Sequence, residues 1–321
     1  MNVLVLGGAG FLGSNLVRRC LVEKDVRVTV VDSLETLLHG TTKNLRAVWD
    51  RIHFVRSDIR DEFRLAELVQ GQHVVFNCAA QTSHPLSIRY PLFDADVNCV
   101  GNLKLLEAVR LLNPQAVVVY PSSSTAIGKA IHEVVDEDHP ERPLEIYSAN
   151  KGVAEKYYRI YHNLHGLKTV ILRFANLFGP YGKGFPEFGF INYFISRAWS
   201  GEAIEIFGSG AQTRNVTYVG DAVEIMWRAA QEVRLHGRMH FATSDLHLSV
   251  KTIAETIVKV LGRGSVKFIE WPAERKAIEV EKVVISSARL RAITGWSARY
   301  DLEAGLVETR AALEAEEKHP A

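Results

Sequence analysis

A doubly wound α/β fold, in which helices cover both faces of a parallel sheet, is the architecture that this sequence predicts. The first half of the chain alternates short β-branched runs with amphipathic helical segments, which is typical of β-α-β units. The apolar runs are continuous, as in strands that are buried on both faces. With 321 residues, the chain has room for about two domains.

Six apolar runs are predicted to be the strands of this sheet, joined by right-handed crossovers. They are Asn2–Leu6, Val26–Val31, Ile52–Val55, Val74–Asn77, Ala116–Tyr120 and Thr169–Arg173. Between them, Phe11–Glu23 carries Leu12, Leu16 and Cys20 at intervals of four residues, and Asn98–Leu112 carries apolar residues at intervals of three, namely Val100, Leu103, Leu106 and Val109. Both segments are therefore predicted to be helices.

The residue composition and the hydrophobic pattern change after the sixth strand. Phe178–Phe190 is rich in glycine, proline and aromatic residues and is predicted to be a loop or lid. Beyond it the elements are shorter and mixed. We expect residues 1–176, together with about 212–235, to form the sheet domain. Residues 177–211 and 236–321 are expected to form a smaller, mixed α/β substrate domain.

Composition narrows the possible functions. The chain is 47% hydrophobic and 23% charged, and its formal net charge is +1, without the basic excess of a nucleic-acid-binding protein. No apolar run approaches the ~20 residues that span a bilayer, and the N-terminus is predicted to be a strand instead of a secretory signal. Three scattered cysteines favour a reducing cytoplasm, and the 12 histidines lack metal-ligand spacing, so no metal site is expected.

The first strand leads directly into Gly7, Gly10 and Gly13, and a predicted helix follows. Glycines at these positions permit a tight turn, close approach of a pyrophosphate and close packing of helix on strand. The free N–H groups and the positive end of the helix dipole would face the phosphates. A structural turn is the alternative, since the spacing alone is a weak signal. Because the glycine segment lies between a predicted strand and a predicted helix, it predicts a dinucleotide site.

Acidic residues follow the second and third strands. Asp32 lies about twenty residues past the glycines, where a carboxylate accepts ribose hydroxyls. It would repel a 2′-phosphate, and no arginine follows closely, so NAD is favoured over NADP. Asp58 is a candidate partner of the adenine amino group. A helix N-cap is the alternative role for Asp32, and a plain turn residue is the alternative for Asp58.

Tyr147 and Lys151 are four residues apart on a predicted helix and share a face. A phenol with a pKa of ~10 is a poor base at neutral pH, but a nearby ammonium stabilises the phenolate and makes it useful for proton transfer. The segment Pro121–Thr125 ends the fifth strand, where hydroxyls face the ligand crevice of such sheets. One of them could donate to a reacting oxygen. A Ser/Thr-rich turn is the alternative.

Together these motifs resemble the extended short-chain dehydrogenase/reductases, and among them the NAD-dependent nucleotide-sugar epimerases and dehydratases of the UDP-galactose 4-epimerase type. The resemblance covers nearly the whole chain. It implies a Rossmann-type NAD domain and a homodimer through a four-helix bundle near Val97–Leu112 and Lys151–His165. It implies catalysis by Ser123, Tyr147 and Lys151. The implied cofactor-binding residues are Gly7, Gly10, Phe11, Leu12, Gly13, Asp32, Asp58, Ile59, Ala79, Ala80, Asn98, Tyr147 and Lys151.

The resemblance also assigns a sugar-nucleotide site. Arg173–Pro180 is similar to the family segment whose asparagine contacts the substrate diphosphate, and Ile206–Val219 is similar to its base and phosphate segment. The implied substrate-binding residues are Ser123, Ser124, Asn176, Phe207, Arg214 and Arg275. Phe207 would contact the base, and the two arginines offer forked donors that suit phosphate oxygens. A surface ion pair is the alternative for each arginine.

Departures from the family pattern bear on the reaction. Ile127 stands where the serine segment of the family commonly has tyrosine. Counting back from Gly128 puts Ser123 at the catalytic position, with Ser124 as the second candidate. Ser124 and Thr125 stand where the 4,6-dehydratases have Asp-Glu, which disfavours dehydration and decarboxylation. Further departures are Asn77 for histidine, Asn215 and Ser286 for aspartate, and Lys282 near the position that limits sugar size.

The sequence therefore predicts an NAD-dependent nucleotide-sugar 4-epimerase, with a UDP-sugar favoured as substrate. Tyr147 would take the proton of the sugar 4-hydroxyl, and Ser123 would hydrogen-bond the same oxygen. A nucleotide-sugar ketoreductase, 2-epimerase or dehydratase of the same family is the first alternative. A non-catalytic NAD- or sugar-nucleotide-binding scaffold is the second. Neither nucleic acid nor a membrane is an expected partner.

Overall fold

A seven-stranded parallel sheet runs through the centre of the protein. The structure is a computed structural model, which describes residues 1–271 and 283–318. In this part of the chain the strands are β1 (Asn2–Leu6), β2 (Arg27–Asp32), β3 (Ile52–Arg56), β4 (Val74–Asn77), β5 (Val117–Ser123), β6 (Val134–Val135), β7 (Lys168–Phe174), β8 (Leu177–Phe178), β9 (Ala203–Phe207), β10 (Thr213–Asn215), β11 (Thr217–Tyr218), β12 (Arg238–Phe241), β13 (His247–Ser249), β14 (Ser265–Ile269) and β15 (Val284–Ile285).

The central sheet has the spatial order β12-β7-β5-β4-β1-β2-β3. Strands β2 and β3 are therefore added on one side of β1, and the later strands are added on its other side. This confirms the predicted doubly wound α/β class, and all six predicted strands are in the sheet. The sequence analysis missed β12, because this four-residue strand alternates polar and apolar side chains and has no continuous apolar run. It lies in the segment 236–321, which the sequence analysis allotted to the second domain.

Helices cover both faces of the sheet. In the described residues they are α1 (Phe11–Cys20), α2 (Glu62–Leu68), α3 (His84–Arg89), α4 (Pro91–Ala95), α5 (Gly101–Leu112), α6 (Ile146–His165), α7 (Phe190–Trp199), α8 (Val219–Ala229), α9 (Val250–Leu261), α10 (Ala288–Thr294) and α11 (Leu302–Lys318). Helices α1 and α8 pack together on one face, and α2, α5 and α6 pack on the other. A single π turn, Asp96–Val100, precedes α5, so the helix predicted from Asn98 begins as an irregular turn.

The continuous apolar run of β1 reflects these two layers. Val3 and Val5 are buried in the core beneath α1, whereas Leu4 and Leu6 are buried in the core on the opposite face. Alternate side chains of a strand point to opposite faces, so covering both faces accounts for the unbroken apolar run at residues 3–6.

Elements outside the central sheet form a smaller lobe. Its strands β9 and β14 form a parallel pair, and α9 packs against α7 and α11. The predicted lid lies between β8 and α7, and its Lys183 and Phe185 contact the loop after β2 through Leu38 and His39. Among the described residues, no helix is long and apolar enough to cross a membrane.

Candidate functional site

A crevice of about 1980 Å³ opens at the carboxyl ends of the central strands and extends to the smaller lobe. In open parallel sheets, ligands bind at this edge, where the strand order reverses. The loops after β1, β2, β4, β5 and β7 line the crevice on the sheet side. The loop before α7, together with β9 and β10, lines it on the other side. The sheet topology therefore brings residues from distant parts of the chain to one site.

The glycine segment after β1 fits a pyrophosphate. Gly7 has a φ of 69°, and a Cβ on Gly13 would lie 2.2 Å from the Gly7 carbonyl oxygen, so both positions require glycine. A Cβ on Gly10 would meet only the Gly7 carbonyl oxygen, at 3.3 Å, and its other side is open to the crevice. No acidic residue lies in the first turn of α1, which leaves its N–H groups available to an anion.

Asp32 lies at the end of β2 with both carboxylate oxygens held by the backbone. Oδ2 accepts from the Ala9 N–H at 3.0 Å, and Oδ1 accepts from the Leu34 N–H at 2.9 Å. Each oxygen keeps a lone pair for a ribose hydroxyl. Burial raises the pKa of Asp32, while these two bonds and the nearby Lys183 lower it in part. The two backbone N–H groups thus fix the orientation of the carboxylate at the edge of the crevice.

Lys183 was missed by the sequence analysis. Its Nζ donates to the Leu38 carbonyl and lies 4.3 Å from the centroid of the Phe188 ring. Burial lowers its pKa to about 8, although the charge of Asp32 acts in the opposite direction. Composition predicted that this segment is a loop, but nothing in its sequence indicates that Lys183 would reach the loop after β2.

The other predicted cofactor residues differ in position. Phe11, Leu12, Asp58, Ile59, Ala79 and Ala80 line the crevice. Burial would raise the pKa of Asp58, but Arg60 holds both of its oxygens at 2.9 Å and keeps that pKa below its ordinary value. Asn98 is not among the lining residues; it is fully buried behind the wall, where its amide donates to the Gln81 carbonyl.

Tyr147 and Lys151 lie on the first turns of α6 and face the end of β5. The Lys151 Nζ donates to the Pro121 carbonyl at 2.8 Å and lies 4.1 Å from the centroid of the Tyr120 ring. Burial lowers the pKa of Lys151 to about 8. Burial also raises the pKa of Tyr147, and a hydrogen bond with Ser123 offsets part of that rise. Ser123 and Tyr147 therefore lie within hydrogen-bond reach of each other, and Lys151, one helical turn after Tyr147, lines the same crevice.

A buried ion pair between Arg173 and Glu155 lies next to the end of β5. Arg173, which is 1% exposed, binds both oxygens of Glu155 at 2.8 and 2.6 Å. The Ser122 hydroxyl donates to the same carboxylate, and the charge of Glu155 raises the pKa of Lys151 against the effect of burial. The sequence analysis missed Glu155, although it continues the four-residue spacing of Tyr147 and Lys151 on one helix face.

The predicted substrate residues extend across the crevice. Ser124, Asn176, Phe207 and Arg214 all line it. Asn176 has a φ of 38°, and its amide donates to the Asn215 carbonyl at 2.9 Å. The centroids of the Phe207 and Trp271 rings are 5.2 Å apart. Trp271 was not predicted from the sequence. Arg275 and Lys282 lie outside the described residues.

Two departures from the family pattern have structural partners. The Asn77 amide donates to Asn102 at 2.8 Å and to Tyr158 at 3.1 Å, in a buried network beneath the sheet edge. The Asn215 amide donates to the Ser244 carbonyl at 2.7 Å. Each amide therefore joins separate segments: Asn77 links β4 to helices α5 and α6, and Asn215 links β10 to the loop between β12 and β13.

Comparisons with known proteins show which sequences and structures this chain is similar to. Residues 3–241 match the sequence profile of the NAD-dependent epimerase/dehydratase family. A UDP-glucose 4-epimerase of Mycolicibacterium smegmatis is 30% identical over 312 residues, which are 96% of this chain and 97% of the relative. A dTDP-glucose 4,6-dehydratase of the same organism is 29% identical over 314 residues, 96% of this chain and 92% of the relative. The solved structure of a Thermus thermophilus UDP-glucose 4-epimerase in complex with NAD has a TM-score of 0.85 and 28% identity, and covers 98% of this chain and 99% of that chain.

Proposed function

The chain belongs to the NAD-dependent epimerase/dehydratase family, and on that premise we propose that it is a nucleotide-sugar 4-epimerase. The observation that carries the proposal is that Ser123, Tyr147 and Lys151 line the same crevice as the glycine turn and Asp32. A 4-epimerase acts on one sugar oxygen and needs one proton-transfer group beside the dinucleotide. A UDP-sugar is the proposed substrate.

The glycine segment, Asp32 and Lys151 would hold NAD, which supplies the hydride acceptor and donor for carbon C4 when it is bound. Tyr147 takes the proton of the 4-hydroxyl, and the Ser123 hydroxyl donates a hydrogen bond to the same oxygen. The Lys151 ammonium stabilises the tyrosinate. The 4-keto sugar then rotates in the crevice, so that C4 would receive the hydride back on its other face, and Tyr147 returns the proton to the same oxygen.

The residues after Ser123 favour epimerisation over dehydration. Ser124 and Thr125 carry hydroxyls where a dehydratase of this family would need two acids to remove water. A 4,6-dehydratase is the second candidate, because a relative of that name is nearly as similar as the epimerase and because a carboxylate, Glu145, lines the crevice beside Tyr147.

We also propose a cytoplasmic homodimer. Helices α5 and α6 expose apolar side chains, which a second copy could cover in a four-helix bundle. The exposed residues are Leu111, Leu112, Ile160 and Leu164. Sedimentation velocity of the purified protein tests this, because a monomer at micromolar concentration would contradict it.

NMR of the purified protein with a panel of UDP-, dTDP-, GDP- and CDP-sugars, without added NAD, tests the function. We expect one 4-epimer to appear and to reach equilibrium, because the cofactor is regenerated in each turnover. Conversion that requires stoichiometric NAD(P)(H) would instead indicate a net oxidoreductase. No conversion under either condition would contradict catalysis of these sugars and favour a binding scaffold.

Replacing Asp32 tests the cofactor preference. The wild-type apoprotein is expected to bind NAD at least ~100-fold more tightly than NADP, because the carboxylate repels a 2′-phosphate. Asp32→Asn should narrow that ratio by about 10-fold while it keeps one acceptor oxygen. Calorimetric titration with both dinucleotides measures the ratio. An unchanged ratio in Asp32→Asn would show that another group selects the cofactor.

The pH profile tests the role of Lys151. Its ammonium exists below a pKa of about 8 and is lost above it, so kcat/KM should fall as the pH rises through about 8. Glu155, Cys78 and Asp94 raise this pKa, and burial lowers it more. In Lys151→Arg the alkaline limb should disappear, although activity is lower, because a guanidinium stays charged. An alkaline limb near pH 8 in Lys151→Arg would assign it to a different group.

A further inference from the structure

An imidazole and a carboxylate lie beside Tyr147 and take no part in the reaction derived above. His84 begins α3, and Glu145 immediately precedes α6. The His84 Nδ1 lies 2.7 Å from the Glu145 Oε1, and the centroids of the His84 and Tyr147 rings are 4.8 Å apart. His84, Glu145, Tyr147 and Ser123 all line the crevice. The pair therefore belongs to the wall next to the proposed reacting oxygen.

Glu145 fixes the orientation and tautomer of His84. Burial would raise the pKa of Glu145, but hydrogen bonds with His84 and Ser148 outweigh burial and hold that pKa below its ordinary value. Glu145 is therefore a carboxylate and can only accept, so the shared hydrogen lies on His84 Nδ1. The second ring nitrogen, Nε2, is left for a ligand. The His84 side chain is 45% exposed and lines the crevice, so a ligand can reach it.

The surroundings of the pair indicate what the ligand is. Hydroxyl and amide side chains surround the catalytic end of the crevice, among them Ser123, Ser124 and Asn176. With Nδ1 held by Glu145, the imidazole presents Nε2 to the crevice, and the hydroxyl groups of a sugar ring can both donate and accept a hydrogen bond there. A carboxylate that orients an imidazole is a common device for holding one ring nitrogen towards a ligand.

We propose that His84 Nε2 hydrogen-bonds one ring hydroxyl of the bound sugar, and that Glu145 is the positioning residue that keeps this nitrogen turned to the sugar. This rests on the proposed function, since it needs a sugar nucleotide in the crevice with its sugar at Tyr147. The contact makes His84 a specificity-determining residue, which selects sugars that carry a hydroxyl at that ring position.

The test is a binding experiment with deoxy analogues and does not depend on turnover. Calorimetry measures the affinity of the NAD-loaded protein for the best sugar nucleotide, for its monodeoxy analogues and for the nucleoside diphosphate alone. Wild type should bind one monodeoxy analogue about 10-fold more weakly than the parent. His84→Ala should bind the parent about 10-fold more weakly than wild type does. It should bind that analogue with the same affinity as it binds the parent. Its affinity for the nucleoside diphosphate should equal that of wild type.

His53 supplies a matched control, because it is an exposed histidine on β3 at the edge of the sheet. His53→Ala should leave every affinity unchanged. The proposal is overturned if His84→Ala still discriminates against the same analogue. It is also overturned if the substitution lowers the affinity for the nucleoside diphosphate as much as the affinity for the sugar nucleotide. Sugar nucleotides that bind but are not epimerised would contradict the proposed function and leave the His84 contact testable. If no sugar nucleotide binds, both are contradicted.

Two variants of Glu145 test its positioning role. Glu145→Gln keeps an oxygen that accepts from Nδ1 and should retain affinity within about 3-fold, whereas Glu145→Leu should reproduce the 10-fold loss of His84→Ala. NMR of protein labelled with ¹⁵N-histidine gives a second readout. The His84 signals should report the Nδ1–H tautomer in wild type and in Glu145→Gln, but not in Glu145→Leu. An unchanged tautomer in Glu145→Leu would remove Glu145 from the proposal.

Discussion

Tyr147→Phe is expected to lower kcat by about 10³-fold, because it removes the only hydroxyl that we assign to proton transfer at the sugar oxygen. The substitution keeps the ring, so the packing against His84 remains. The KM for the sugar nucleotide should change little, since most of the binding surface is untouched. Single-turnover and steady-state rates with the identified substrate measure the effect.

Tyr157 gives a matched control on the same helix. It is partly buried at the core cluster that contains Tyr158 and lies away from the crevice. Tyr157→Phe should keep kcat within about 2-fold. If Tyr147→Phe retained more than a tenth of the wild-type kcat, Tyr147 would not be the proton-transfer group, and Ser123 would be the next candidate.

Gly13→Ala and Gly10→Ala are expected to fail in different ways. A Cβ on Gly13 would lie 2.2 Å from the Gly7 carbonyl oxygen and 2.7 Å from the Gly8 Cα, so backbone must move. We expect Gly13→Ala to cost about 3 kcal/mol of unfolding free energy, to lower the Tm of the apoprotein by about 5 °C, and to abolish NAD binding. Thermal unfolding of the apoprotein and titration with NAD measure the two effects.

Gly10→Ala separates the cofactor from the fold. Its Cβ would lie 3.3 Å from the Gly7 carbonyl oxygen and otherwise face the crevice. The Tm of the apoprotein should therefore stay within about 2 °C of wild type, while the affinity for NAD falls by about 30-fold. A normal NAD affinity in Gly10→Ala would contradict the assignment of this turn to the pyrophosphate.

Much of the sheet could be predicted because its strands are buried on both faces. Burial on both sides leaves unbroken apolar runs at residues 3–6 of β1 and 74–76 of β4, and that signal is local in the sequence. Strand β12 has no such signal, since His240 and Arg238 interrupt it. Its place beside β7 follows from the crossover through α8, which is a property of the topology.

The candidate site could be predicted where its signal is local and could not where the contacts are long-range. The glycine turn and the Tyr147–Lys151 pair each have a signal within a few residues, and Asp32 was predicted from its place at the end of the next strand. The His84–Glu145 and Lys183–Leu38 contacts join distant segments, and neither segment carries a motif that indicates the other. Glu155 is an intermediate case, because the helix spacing gives its position on the face of α6, but its partner Arg173 lies on strand β7.

The most direct test of the account is the reaction carried out in D₂O and followed by NMR and mass spectrometry. The hydrogen removed from C4 in a 4-epimerase returns to C4, so we predict a 4-epimer without solvent deuterium at any sugar carbon. Because a dehydratase must break a C–H bond next to the keto group and protonate carbon from solvent, its product would carry deuterium on carbon. Deuterium on a sugar carbon, or loss of the 6-hydroxyl, would contradict the 4-epimerase and support the dehydratase.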